Sequence, residues 1–143
     1  MKTTALFITF LIAQIAVKSH TPSDKDNEKG ITFFEGSWQE ALVLARQENK
    51  LIFLDAYASW CGPCRMMKSR IFSTKQVGDF FNANFINVKM DMEKGEGVGL
   101  AQKYGVTAYP TLFFIDAAGN VKKYSVGYHN TDELIEFGKH VLK

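Results

Sequence analysis

Cys61 and Cys64 are the only cysteines among 143 residues, and Gly62 and Pro63 lie between them. Two thiols this close can pass between dithiol and disulfide. Exchange requires a thiolate, and a free cysteine is mostly protonated at neutral pH. Pro63 suits the first turn of a helix, so the spacing predicts a helix starting at Gly62-Pro63 with Cys61 just before it. A helix N-terminus presents unpaired N–H groups and partial positive charge, which would lower the Cys61 pKa. Cys61 is therefore expected to be the attacking sulfur. Cys64, one turn later and deeper, is expected to resolve the mixed disulfide. Pro63 also removes one N–H donor near the sulfurs, which should make the pair more reducing.

Other chemistries fit less well. Zinc needs two further ligands, and His20, His129 and His140 have no paired spacing. A structural disulfide over so short a loop constrains little chain entropy. A cysteine–histidine hydrolase would leave the second cysteine and Gly62-Pro63 unexplained. No metal or cofactor is expected beyond a redox-active Cys61–Cys64 disulfide.

The elements that must position this pair can be read from patterning. Residues 31–34 are a strand candidate, and Ser37 with Glu40 forms a capping-box pattern opening a helix with Trp38, Ala41, Leu42 and Ala45 on its apolar face. Residues 51–54 are continuously apolar, as in strands covered on both faces, and the run leads through Asp55 to Cys61. A helix past Met66 and Met67 and another helical piece over 74–82 follow. Residues 85–91 alternate as a strand. Gly95, Gly97 and Gly99 read as a loop before a short helix over 100–104. Residues 111–115 and 121–126 read as a hairpin about Ala118-Gly119-Asn120, and Thr131 as the cap of a last helix reaching Leu142. The order predicts an α/β domain with a mixed central sheet.

Lys2 and the apolar residues 5–17 read as a secretory signal ending near Ser19. The apolar run is shorter than the roughly 18 residues of a spanning helix, so a membrane tether through an uncleaved signal is the less favoured reading. The expected division is a signal peptide over 1–19, a polar flexible leader over 20–30 and one domain over 31–143. The chain carries 17 basic and 15 acidic residues. Removing Lys2 and Lys18 balances them at 15 each, which gives no electrostatic case for nucleic acid.

Residues 57–66, Tyr-Ala-Ser-Trp-Cys-Gly-Pro-Cys-Arg-Met, resemble the active-site segment of the thioredoxin superfamily, and the likeness extends over nearly all of 31–143. It implies a thioredoxin fold, with helices on both faces of the mixed sheet. It also implies roles for distant residues. Asp55 falls at the family's buried carboxylate, which would accept the Cys64 proton, and Lys89 at a lysine that pairs with it. Tyr109-Pro110-Thr111 falls at a cis-proline beside the sulfurs, whose backbone edge binds the substrate strand. Gly127 falls at the glycine after the last strand, and Trp60 would shield the sulfurs. Two departures stand out. Ser69 stands near the family's helix-kinking proline, and Tyr109 replaces an aliphatic residue. Residues 70–77 leading into Phe80-Phe81 are similar instead to exported relatives such as the C-terminal domain of the thiol reductase DsbD.

These readings converge on an exported, monomeric thiol–disulfide oxidoreductase, a protein-disulfide reductase of the periplasm. Its implied partners are a membrane thiol-electron donor and oxidised client proteins or apocytochrome c. The alternatives are an oxidase or isomerase on the same fold, or a non-catalytic binding module.

Overall fold

The computed structural model describes residues 29–143; the expected signal peptide and leader residues 20–28 lie outside them. The described residues form five helices and four strands, in the order α1 (Trp38–Glu48), β1 (Leu51–Tyr57), α2 (Gly62–Arg70), α3 (Lys75–Asn84), β2 (Phe85–Asp91), α4 (Glu96–Tyr104), β3 (Thr111–Ile115), β4 (Val121–Val126) and α5 (Thr131–Val141). The sheet order is β2-β1-β3-β4. β1 runs parallel to β2 and antiparallel to β3, and β3 is antiparallel to β4. The expected mixed α/β sheet, covered on both faces, is present.

β1 is central, so both of its faces are apolar. Ile52, Leu54 and Ala56 pack under Trp38, Ala41 and Ala45 of α1 and Leu100 of α4. Phe53 faces the other way, toward Met67 of α2, Phe81 of α3 and Leu134 and Phe137 of α5. That second layer is mostly phenylalanine. Ring centroids lie 4.6 Å apart for Phe53–Phe81, 4.7 Å for Phe85–Phe114 and 4.9 Å for Phe114–Phe137. Each buried ring contributes roughly 1.5–3 kcal/mol by leaving water, so this layer fixes the sheet against α3 and α5 and, through Met67, against α2, which carries Cys64.

The Ser37–Glu40 capping box is present: Ser37 Oγ accepts the Glu40 N–H at 3.2 Å, and the Glu40 carboxylate accepts the Ser37 N–H at 2.7 Å. The hydrogen bond from the Ser37 backbone holds the Glu40 carboxyl below its usual range. Three expectations are corrected. Residues 31–34 form no strand. The Ile31 N–H goes to the Phe72 carbonyl at 2.7 Å and the Thr32 N–H to Asn82 Oδ1 at 2.9 Å. Only Phe34 bonds the β2 backbone, at Asn87 O, 2.7 Å away, so no ladder forms. Second, α4 starts at Glu96 and includes Gly97 and Gly99. A β-carbon at Gly97 would overlap the Asp91 carbonyl, so glycine lets this helix start against the end of β2. Third, Asn130, not Thr131, caps α5, its side chain accepting the Glu133 N–H at 3.0 Å.

Candidate active site

The strand β1 ends at Tyr57, and the turn Ala58-Ser59-Trp60 delivers Cys61 to the N-cap of α2. The Cys61 N–H bonds the Ala58 carbonyl at 3.1 Å, closing that turn. Cys61 Sγ accepts the Cys64 N–H at 3.2 Å, and Pro63 lies in the first helical turn. The expected helix start is therefore present, and the Cys61 sulfur caps it. Cys61 and Cys64 are joined as a disulfide. The expectation that Cys64 lies deeper than Cys61 is corrected: Cys61 is 2% exposed and Cys64 6%. What differs is the company each sulfur keeps.

Cys61 and Cys64 pack with Ala58, Tyr57 and Tyr109. Tyr109 precedes Pro110 through a cis peptide bond. Thr111 begins β3, buried beside Ala56 of β1, and its hydroxyl donates to the Ala108 carbonyl at 2.8 Å. The Gly127 N–H bonds the Pro110 carbonyl at 2.8 Å. Gly127 has φ of 100°, a conformation open chiefly to glycine. Trp60 stands edge-to-face on Tyr109 at 5.8 Å and remains 65% exposed. Its indole N–H donates to Glu93 at 2.9 Å. Trp60 thus forms an exposed aromatic rim, held between Tyr109 and Glu93. Burial, then the negative charges of Glu93 and Asp91, raise the Tyr109 pKa.

Cys64 also borders a cleft of about 670 Å³, which Cys61 does not line. Its floor holds Asp55, a buried carboxyl on β1. Burial raises the Asp55 pKa to about 7, against the opposing pull of Lys89. Lys89 sits opposite Asp55 in the β1–β2 register. No ion pair joins the two; the exposed Lys89 ammonium lies over the Phe33 ring, 5.2 Å from its centroid. The expected Asp55–Lys89 pairing is therefore a field across the cleft, not a contact.

The structure brings Cys61, Cys64, Trp60, Tyr109 and the cis-proline together, with Asp55 and Lys89 behind Cys64. Sequence reading missed Glu93, which holds the indole, and Arg65 and Lys68, which line the cleft. Glu93 lies just past β2, where no local pattern marks it; Lys68 is one helical turn beyond Cys64, a spacing that could have flagged it. Chemically, the set offers a sulfur at a helix N-terminus, a neighbour sulfur to exchange with, and a carboxyl able to hold or take a proton near neutrality.

The family model described as Thioredoxin matches residues 31–140. The chain belongs to the thioredoxin family. Thioredoxin H4 of Arabidopsis thaliana is 38% identical over 103 residues, which cover 72% of this chain and 82% of that protein. A solved structure from Bacteroides thetaiotaomicron, described as a candidate disulphide-isomerase, is 47% identical with a TM-score of 0.72, covering 81% of this chain and 96% of that one. The reduced C-terminal domain of Neisseria meningitidis DsbD is 25% identical with a TM-score of 0.60, covering 71% and 91%. With its Cys61–Cys64 disulfide at the head of α2, this chain is a thioredoxin-like thiol–disulfide oxidoreductase.

Proposed function

We propose that this protein is an exported reductant of protein disulfides, cycling Cys61 and Cys64 between dithiol and disulfide as a monomer. The observation that carries this reading is the Cys61 sulfur at the α2 N-cap with Gly62-Pro63 behind it. Cys61 thiolate attacks a client disulfide, forming a mixed disulfide and releasing one client thiol. Cys64 then attacks Cys61 Sγ, the second client thiol leaves, and the Cys61–Cys64 bond re-forms. Asp55 takes the Cys64 proton in that second step, its near-neutral pKa suiting the transfer. The backbone at Tyr109-Pro110-Thr111 binds the client strand beside Cys61, by strand-type hydrogen bonds.

Direction follows from the residues between the cysteines. Pro63 leaves the thiolate with one donor fewer, so the dithiol gives up electrons more readily. An exported reductant must be recharged, because its compartment is oxidising. A membrane thiol-electron donor supplies that need, and oxidised client proteins or apocytochrome c cysteines receive the electrons. Export to the periplasm rests on the apolar run over 5–17. The likeness to the DsbD domain is consistent with this reading.

A redox titration against glutathione tests the direction. A potential near the ~−270 mV of thioredoxin is expected, and one near the ~−120 mV of a strong oxidant would overturn the reductant reading. The Bacteroides thetaiotaomicron likeness favours one second reading, isomerisation. Insulin reduction without rescue of scrambled ribonuclease would exclude it; the converse result would establish it.

A further inference from the structure

The cleft behind Cys64 carries features that client reduction at Cys61 does not use. One wall is the N-terminal segment from Lys29 to Phe33, and the other is α2, with Arg65 and Lys68. The wall is held by side chains. Asn82 accepts the Thr32 N–H at 2.9 Å and donates to the Gly30 carbonyl at 3.2 Å, while Ile31 bonds Phe72. Its approach requires glycines on both sides: a β-carbon at Gly30 would overlap the Phe72 carbonyl, and one at Gly78 of α3 would overlap the Lys29 carbonyl. The space of about 670 Å³ is therefore bounded by a fixed wall, and its size falls within the range of roughly 300–1,000 Å³ of small-molecule sites.

Its charge is lopsided. Lys29, Arg65, Lys68 and Lys89 line it against one carboxyl, Asp55. None of these four cations joins an ion pair among the described residues. Cys64 forms part of the lining and Cys61 does not, so the cleft reaches the redox pair at its Cys64 end. We propose that the cleft is a second access to the disulfide, where an anionic low-molecular-weight thiol binds and exchanges at Cys64, while protein clients exchange at Cys61.

The inference rests on the exchange chemistry proposed above. The thiolate sulfur bonds Cys64 Sγ, the Cys61–Cys64 bond breaks, and Cys61 leaves as thiolate at the α2 N-terminus, where helix N–H groups stabilise it. That makes it the better leaving group. A second thiolate attacks the sulfur of the bound small thiol. The small disulfide departs, and Cys64 leaves with a proton from Asp55 or water. Two small thiols are oxidised and the cysteine pair gains two electrons. The reverse sequence oxidises the pair with the small disulfide.

Single-cysteine variants separate the two accesses. In Cys61→Ser, Cys64 is titrated with the dianionic disulfide 5,5′-dithiobis(2-nitrobenzoate) and with the dicationic disulfide cystamine. Each rate is divided by the rate for the same protein unfolded in urea. Mass spectrometry confirms the adduct at Cys64. The folded protein should favour the anionic probe by about tenfold or more, with the preference falling in high salt. Lys68→Glu, a surface change, should cut it about fivefold, whereas in Cys64→Ser the same change should leave Cys61 rates unaltered. An unreactive Cys64, or a preference that Lys68→Glu does not change, overturns the proposal. If Cys61 in Cys64→Ser also fails to exchange, the proposed function falls as well; if only Cys64 fails, the second access alone is lost.

Discussion

The two sides of one disulfide are built differently. On the Cys61 side stand exposed Trp60, Tyr109 and the cis-proline, with Glu93 adding negative charge. On the Cys64 side lies a cleft with a buried acid at its floor and cations along its walls. An open aromatic edge beside a β-strand end suits an extended peptide. A cleft holding a carboxyl that titrates near neutrality suits proton handling. Both cysteines are buried, yet their surroundings are not equivalent.

The sharpest break in that comparison comes from the sulfurs themselves. Cys61→Ser should abolish insulin reduction, because no attacking thiolate remains on the client side. Cys64→Ser should still attack once and then stall, accumulating mixed disulfides with client proteins that can be resolved on a non-reducing gel. Stalled adducts in Cys61→Ser but not in Cys64→Ser would reverse the assignment of the two sulfurs.

Asp55→Asn comes next. Stopped-flow should show slower resolution of the mixed disulfide, by roughly 10–100-fold if the carboxyl acts as a general base, with little change in the first attack. In the wild type, the resolution rate should titrate near pH 7, and the variant should lose that inflection. Stability carries a second signature. A buried carboxyl with a raised pKa binds its proton more tightly folded than unfolded. Its penalty is absent below the unfolded value near 4 and grows as pH rises through about 7, where the folded group ionises. Asp55→Asn should therefore stabilise the protein at pH 8, by roughly 4 kcal/mol as an upper figure at about 1.4 kcal/mol per tenfold, and hardly at all at pH 4. Urea unfolding at the two pH values measures this.

Much of the fold was legible because its signals are local. The apolar run at the start of β1, the Ser37–Glu40 box and the alternation of residues 85–91 each specify an element within one short window. The cysteine pair was legible for the same reason. What was not legible depends on partners far away in the chain. Residues 31–34 have strand-like composition, yet Asn82 and Phe72 take their hydrogen bonds. Gly97 reads as a loop breaker until the Asp91 carbonyl is placed against it. Glu93 joins the site only because Trp60 folds back across 33 residues to reach it. The cationic cleft likewise takes shape only when the N-terminal segment meets α2.

Tyr109→Ala tests the client side with a smaller effect. It removes the ring against which Trp60 stands, and such pairs contribute about 0.5–1.5 kcal/mol. The kcat/KM for a protein client should fall roughly 3–10-fold, since about 1.4 kcal/mol is tenfold. The resolution rate and its pH profile should not move. An equal loss in resolution would mean that Tyr109 supports both sulfurs, and the division between the sides would blur.

Glu93→Gln should have the smallest effect and is the finest probe of the aromatic rim. Glutamine keeps an oxygen able to accept the Trp60 indole N–H but removes the charge. A hydrogen bond to a charged acceptor is roughly twice as strong as a neutral one, so the indole should remain near Tyr109 with weaker restraint. The change in kcat/KM for a neutral client peptide should be about twofold at most, since losing the charge removes about half of an exposed contact that contributes at most ~1 kcal/mol. Clients with a lysine flanking the disulfide should lose more than clients with a glutamate there, because Glu93 supplies negative charge beside the peptide edge. The Tyr109 phenol should also titrate lower, with one of the nearby negative charges gone. If lysine-flanked and glutamate-flanked clients lose equally, Glu93 only positions the indole, and the Cys61 side selects by shape rather than by charge.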